Sequence, residues 1–220
     1  MAASERIISF SHPGFRPYVS ALGQLALAWN ELHFILGLLY CSTMGVRVGV
    51  PVSQHLAVWY ALKTDRAQRD ILLAAAMSSR LQDAPNAPNT IIADIEWICN
   101  RANVVEDARN KAIHSPLWGV EYHDETIEIS PRPAAVAQGH VRARRLAGIQ
   151  DLLAEFRWCR DASLCLAEHA LAAHISIFRG FAIPWPNRPV WPTRQATNAR
   201  KRRRQKPPKS PPRRPLSSPT

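Results

Sequence analysis

The sequence lacks the patterns that identify several common enzyme classes. It has no Gly-rich phosphate loop, no Walker sequence and no G-x-S-x-G nucleophile motif, which argues against a P-loop nucleotidase or an α/β-hydrolase. No pair of cysteines has C-x-x-C spacing, and all four lie in apolar, helix-like surroundings: Cys41, Cys99, Cys159 and Cys165. We therefore expect small core residues in a reducing compartment. His169 and His174 do not share one helical face, and no Cys or carboxylate pair completes a site with them, so we expect no metal and no cofactor.

A secretion signal and a convincing membrane span are also missing from the pattern. The N-terminal stretch IISFSHPGF is too short and too polar for a signal peptide. The most apolar window, residues 22–41, contains Gln24, Asn30, Glu31 and His33, which is a poor composition for a membrane span. The sequence thus predicts a cytoplasmic protein with no membrane partner.

Acidic residues are absent from the C-terminal part of the chain. Residues 184–220 hold eleven of the 28 basic side chains, ten of the 18 prolines and no Asp or Glu, so residues 1–183 carry 17 basic and 17 acidic side chains. Such a composition buries too little apolar surface to offset the entropy of ordering. We predict a lead-in over 1–17, one domain over 18–183 and a disordered tail over 184–220.

The densest charge in that tail is a candidate nucleic-acid-binding run. A basic run suits a polyanion because each contact with a phosphate releases a counterion, but a tail that only raises solubility fits the composition equally well. Trp185 and Trp191 leave a similar choice, since they could stack on bases or dock on the folded domain. The run comprises Arg200, Lys201, Arg202, Arg203, Arg204 and Lys206.

Apolar residues recur at helical spacing in most of the domain. The first long helix carries a core stripe and, opposite, a second apolar stripe, which indicates packing on its own domain and on a partner subunit. The core stripe is Leu22, Leu25, Trp29, Leu32, Leu36 and Leu39, and the second stripe is Leu27, Phe34, Ile35 and Leu38. The acids of the third long helix are interpreted as a solvated face: Asp94, Glu96, Glu106 and Asp107. Four long helices are predicted over residues 18–42, 64–81, 91–112 and 142–178, and a short helix over 53–62.

The periodicity changes from helical to alternating after Pro116. The stretch LWGVEYHDETIEIS alternates apolar and polar residues, and HDET can form its turn, which predicts a β-hairpin. The fold class is therefore all-α: a four-helix bundle with a small hairpin inserted before the last helix.

A polar trio stands at the end of the third long helix, in the stretch RNKAIH. Arg109 falls on the apolar stripe of that helix, Asn110 follows it, and His114 lies one turn after Asn110. The trio resembles the Arg-polar-x-x-x-His motif of the HEPN superfamily, compact helical bundles that carry it late in their third long helix, often before a turn and a Trp. Ser115, Pro116 and Trp118 match that continuation, and the resemblance covers approximately residues 18–180.

The resemblance implies a metal-independent endoribonuclease of toxin or defence type. Catalytic members of the family dimerise so that two copies of the motif face one RNA-binding cleft, and a polar or acidic residue of the first helix often supports the site. Asn30 or Glu31 matches that supporting position. Partners implied are RNA, a second copy of the chain and a cognate antitoxin.

The chemistry of the trio agrees with this implication. RNA supplies its own nucleophile, the 2′-hydroxyl, so cleavage needs proton transfer and positive charge beside the phosphate. His114 suits the first role and Arg109 the second, while the amide of Asn110 can position either. On a regular helix Arg109 and His114 lie about 140° apart, so a second subunit would have to complete the site.

Two alternatives remain open at this point. Arg109 could pair with Glu106, Asp107 or Glu31, with His114 an ordinary C-terminal residue near the helix dipole. The protein would then be a non-catalytic HEPN-like module that binds RNA or a protein, or a helical scaffold whose tail binds nucleic acid.

Overall fold

The computed structural model describes residues 6–45, 52–114, 117–121, 127–131 and 152–194. These residues are mostly helical, as predicted. The helices are α1 (Arg16–Thr43), α2 (Ser53–Ala61), α3 (Asp65–Ser78), α4 (Ile91–Ile113) and α5 (Leu152–Phe178), with 3-10 turns at Pro13–Phe15 and Leu81–Asp83. Residues 142–151, where we predicted the start of the last helix, lie outside the described part.

Helix α1 is the centre of the described fold. It packs along α5 and also contacts α3 and α2, while α4 contacts α5 and α3. The predicted core stripe of α1 is buried, with Leu25, Leu32, Leu36 and Leu39 fully enclosed. The predicted second stripe divides, because Ile35 is buried whereas the outer side chains Leu27 and Phe34 are 72% and 47% exposed.

Helix α1 also has the length and apolarity of a membrane span. The segment Pro13–Thr43 passes that test, but 67% of its most apolar window is buried inside the described structure. A core helix with apolar residues on several faces meets the same criterion.

The predicted hairpin forms and is joined by a third strand. Strands β2 (Leu117–Glu121) and β3 (Ile127–Pro131) pair antiparallel, and β1 (Arg6–Ile7) pairs antiparallel with the other edge of β2. The predicted turn, HDET, lies outside the described residues. A strand of two residues is too short for its alternation to be recognised, so the sequence did not indicate β1.

Gly119 in β2 allows the sheet to approach the start of α1 closely. A Cβ at this position would lie 2.5 Å from Ile8 Cγ1 and 2.8 Å from Phe15 Cζ.

Gly119→Val is therefore expected to lower the free energy of unfolding by ~1–3 kcal/mol through overpacking, measured by urea denaturation. Gly23→Ala is the control, because a Cβ there meets nothing within 4 Å and alanine favours the helix by ~1 kcal/mol. A Gly119→Val protein as stable as the wild type would contradict this packing.

Residues 184–194, which we predicted as the beginning of a disordered tail, pack on the helices instead. Trp185 Nε1 donates to Asp94 Oδ2 at 2.9 Å, and Trp158 Nε1 donates to the Pro192 carbonyl at 3.1 Å. Of the two alternatives for the Trp-Pro segment, docking on the domain is the one observed. Composition indicated disorder from the prolines and arginines, but it does not show which carboxylates of the helices can pair with those arginines. Residues 195–220 lie outside the described part.

Asp94 corrects a second prediction, since it is 5% exposed and not part of a solvated face. Burial alone would raise the pKa of its carboxyl, yet hydrogen bonds from Arg188, Thr90 and Trp185 outweigh it and hold the pKa below its usual value. Asp94, at the beginning of α4, thus accepts the hydrogen bonds that attach residues 184–194 to this helix.

Candidate functional site

The trio of Arg109, Asn110 and His114 lies on the last turns of α4. The helix ends at Ile113, and His114 is its C-cap, with its backbone N–H 3.2 Å from the Asn110 carbonyl oxygen. The His114 side chain is exposed, whereas Arg109 and Asn110 are half-buried. The predicted placement near the end of this helix is confirmed, and the burial gradient leaves the imidazole the most accessible member.

Arg109 is held by an amide and an aromatic ring. Its Nη1 donates to Asn110 Oδ1 at 3.0 Å, and its guanidinium carbon lies 5.2 Å from the ring centroid of Trp29 on α1. Its Nε is buried and has no hydrogen-bond partner within the described structure. Cation–π contact and a neutral amide orient the guanidinium without neutralising it.

Two of the three acids that were alternative partners for Arg109 face other arginines. Glu106 pairs with Arg69, and Asp107 Oδ1 lies 3.8 Å from Arg66 Nη2. Glu31 is exposed on the outside of α1. Across the described ranges, no salt bridge joins Arg109 to a carboxylate.

Asn30 and Glu31, the predicted supporting residues, are both exposed. The α1 side chain that contacts Arg109 is their neighbour Trp29, which is 3% exposed. Its indole Nε1 donates to Asp65 Oδ2 at 3.0 Å, which fixes the ring that Arg109 covers. We predicted Trp29 only as part of the core stripe, because an aromatic residue on such a stripe carries no sign that a cation lies over its ring.

A buried polar network lies next to the trio, between α1, α3 and α4. Arg69 is 1% exposed; its Nε donates to Asn103 Oδ1 at 2.9 Å, and its other nitrogens meet Glu106 and His33. His33 Nδ1 lies 3.0 Å from Gln68 Oε1. Glu106 therefore belongs to this network and not to the predicted solvated face. His33 inside an apolar window was the one sequence signal for it.

Three histidines, His33 and His169 buried and His174 half-buried, make stability depend on pH. Burial is the main cause that lowers the pKa of His33, His169 and His174 below the usual 6.5, although Asp65 opposes it at His33 and Asp94 at His169. The unfolded chain then binds more protons than the folded one below pH 6.5. Their contribution to stability is complete above that pH and is lost as the pH falls.

The free energy of unfolding is accordingly expected to fall as the pH is lowered from 7.5 to 5.5. Urea denaturation at several pH values measures this slope. His33→Gln should make the slope shallower, since it removes one titrating ring and keeps a polar side chain near Gln68 and Arg69. Stability that rose on acidification would contradict the burial of neutral imidazoles.

The described part of the chain contains no group of three or more His, Cys, Asp or Glu side chains that could hold a metal ion. The predicted nucleic-acid-binding run at 200–206 lies outside the described residues. Comparison with family models, curated proteins and solved structures found no match for this chain.

Proposed function

We propose that this protein is a metal-independent endoribonuclease of toxin or defence type, built as a HEPN-like four-helix bundle and active as a homodimer. The observation that carries the proposal is Arg109, which is oriented by Asn110 and Trp29 but has no carboxylate partner in the described structure. A cation held in this way, on the same helix end as an exposed histidine, suits a phosphate ester whose charge increases during reaction.

In the proposed reaction, His114 transfers protons and Arg109 stabilises the phosphate. A base removes the 2′-hydroxyl proton, the 2′-oxygen attacks phosphorus, and the 5′-oxygen leaves with a proton from an acid. The products are a 2′,3′-cyclic phosphate and a 5′-hydroxyl. An accessible imidazole performs either proton transfer near neutral pH, while Asn110 positions the guanidinium.

The dimer in this proposal answers a geometric difficulty. Arg109 turns inward to Trp29, and His114 lies exposed after the last turn of α4, so one helix does not direct both at the same atom. Two copies of α4 related by a two-fold axis would bring the His114 of one subunit to the Arg109 of the other. The exposed Leu27 and Phe34 on α1 supply apolar surface for such contact, and Asn30 and Glu31 lie on the same outer side.

The deciding experiment is cleavage of single-stranded RNA by the purified protein in excess EDTA. We expect products with 2′,3′-cyclic phosphate ends from the wild type and none from His114→Ala. RNA that stays intact but binds with a strong salt dependence would instead identify a non-catalytic RNA-binding module. Intact RNA without binding would favour a protein-interaction scaffold.

A further inference from the structure

A short motif occurs twice in the segment that packs on α4 and α5 after the end of α5. Residues 185–188 are Trp-Pro-Asn-Arg, and residues 191–194 are Trp-Pro-Thr-Arg. The two tryptophans and two arginines therefore follow one another at intervals of three residues: Trp185, Arg188, Trp191 and Arg194. Because a polyproline II helix has three residues per turn, that conformation places all four side chains along one edge.

The prolines of this segment favour the polyproline II conformation. Each proline fixes its own φ near −65° and restricts the residue before it to extended backbone. Between residues 183 and 192 only Asn187 and Val190 are free of both restraints, because prolines stand at 184, 186, 189 and 192. In the described part of the chain, no hydrogen bond between backbone groups involves residues 184–194. A polyproline II helix likewise has no internal hydrogen bonds.

The exposure of the side chains repeats every three residues. One edge of the segment is exposed and consists of Asn187, Val190 and Thr193. The next edge is half-buried and consists of Pro186, Pro189 and Pro192. The remaining edge carries the tryptophans and arginines, whose polar groups meet side chains of α4 and α5. A period of three matches a polyproline II helix, whereas a β-strand would alternate with a period of two.

Two buried carboxylates accept the two arginines. Arg188 Nε donates to Asp94 Oδ1 at 2.6 Å, and Trp185 Nε1 donates to Asp94 Oδ2 at 2.9 Å. Arg194 Nε donates to Glu155 Oε2 at 3.0 Å. Asp94 is 5% and Glu155 9% exposed, and neither forms another ion pair in the described structure. A buried carboxylate without its cation is strongly destabilising, so this face requires an occupant with two positive charges.

Tryptophans of both helices form an aromatic groove between the two carboxylates. Trp191 packs edge-on against Trp97 of α4 and Trp158 of α5, with ring centroids 6.0 and 6.4 Å apart. Trp158 Nε1 also donates to the Pro192 carbonyl at 3.1 Å. Arg101 of α4 lies over the rings of Trp97 and Trp191. Aromatic-lined grooves are the usual binding sites of proline-rich polyproline II segments.

The distance between the carboxylates fits the spacing of the arginines. Helices α4 and α5 run antiparallel, because Trp97 early in α4 packs edge-on against His169 late in α5. Asp94 lies one turn before Trp97, so it is opposite the same part of α5. From there to Glu155 is fourteen helical residues, or ~21 Å. Six residues of a polyproline II helix, the interval between the two arginines, span ~19 Å.

We propose that the groove between α4 and α5 is a binding site for polyproline II segments with Trp and Arg at every third residue, and that a partner protein carrying such a segment binds there in place of residues 184–194. The partner must supply two arginines for Asp94 and Glu155 and an indole for the aromatic groove between them. It competes with an attached segment, whose effective concentration is in the millimolar range. The inference does not depend on the proposed nuclease activity.

The conformation is tested in the full chain at the exposed edge. Val190 is 95% exposed, and polyproline II backbone accommodates proline, so the urea midpoint of Val190→Pro should equal or exceed that of the wild type. Insertion of one alanine after Val190 turns the second motif by about 120°. We expect its midpoint to fall as far as that of a Trp191→Ala, Arg194→Ala protein. A less stable Val190→Pro protein, or an insertion without effect, would overturn the proposal.

Binding in trans is tested with a fluorescent peptide of sequence 183–194 and a full chain carrying Trp185→Ala and Trp191→Ala. By fluorescence anisotropy we expect the peptide to bind this protein at least about 10-fold more tightly than the wild type, whose own segment occupies the groove. A peptide with one alanine inserted after its valine should bind about 10-fold more weakly, because its second Trp and Arg no longer face the groove. A peptide with that valine changed to alanine is the matched control and should bind unchanged.

Each outcome of the peptide experiment decides the inference. If the Trp185→Ala, Trp191→Ala protein does not fold, the insertion variant, which keeps every side chain, replaces it with the same expectations. A folded variant that binds no peptide would overturn the site. Equal affinity for the peptide with the inserted alanine would overturn recognition of the three-residue spacing. Dimerisation of the wild type that is lost with the two tryptophans would show that the groove binds a second copy, which would overturn a separate partner.

Discussion

His114→Ala is expected to slow RNA cleavage by about 10²-fold or more, because a positioned acid or base contributes about 10²–10⁴-fold to such reactions. Its side chain is exposed, and its described contact is through the backbone N–H to Asn110. Substitution at an exposed position away from packing changes the free energy of unfolding by only ~0.5 kcal/mol or less. Activity and stability should therefore separate at this residue.

The measurement combines initial cleavage rates in EDTA with urea denaturation of the same preparations. Arg179→Ala is the matched control: it removes an exposed basic side chain just after α5, at the opposite end of that helix from Glu155 and Cys159, and should keep the wild-type rate. Arg109→Ala should lose cleavage as well, but with some loss of stability because it also removes the contact with Trp29. A His114→Ala protein that cleaves at the wild-type rate would exclude the imidazole from the reaction.

The helical part of the fold was predictable because it depends on periodicity. Leu25, Leu32, Leu36 and Leu39 mark a buried face whatever they pack against, and the hairpin follows from alternation. The position of Arg109 on the buried side of α4 could be read in the same way. Local pattern does not identify what meets a side chain across space, so Trp29 above Arg109 was not predictable.

For residues 184–194 the prediction from composition was misleading, because this segment packs on the helices. Proline and arginine content indicates low burial on average, yet Trp185 and Trp191 pack against the core cluster. Asp94 and Glu155 offered buried carboxylates for Arg188 and Arg194. Because those acids precede the arginines by 94 and 39 positions, no local rule connects them.

Glu106→Ala is expected to lower the free energy of unfolding by ~3–5 kcal/mol, the usual effect of leaving a buried charge without its partner. Arg69 is 1% exposed and loses its only carboxylate in the described structure. Asp107→Ala on the same helix is the matched control. It removes the same charge, but Asp107 is 64% exposed and 3.8 Å from Arg66, so we expect ~1 kcal/mol or less.

A double-mutant cycle with Arg69→Met then separates the ion pair from packing. Once Glu106 is absent, removing Arg69 also removes the uncompensated charge, so the second substitution should cost less than it does in the wild type. Urea denaturation of the four proteins gives the coupling energy. A value near zero, or a Glu106→Ala protein no less stable than Asp107→Ala, would contradict a buried pair.

The ion pair is also connected to the candidate site. Glu106 lies on α4 three residues before Arg109. Its partner Arg69 lies on α3, and so does Asp65, which accepts the hydrogen bond from Trp29. Loss of the pair should therefore also loosen the contact between Trp29 and Arg109, and the intrinsic fluorescence of Glu106→Ala should change in native buffer whereas that of Asp107→Ala should not.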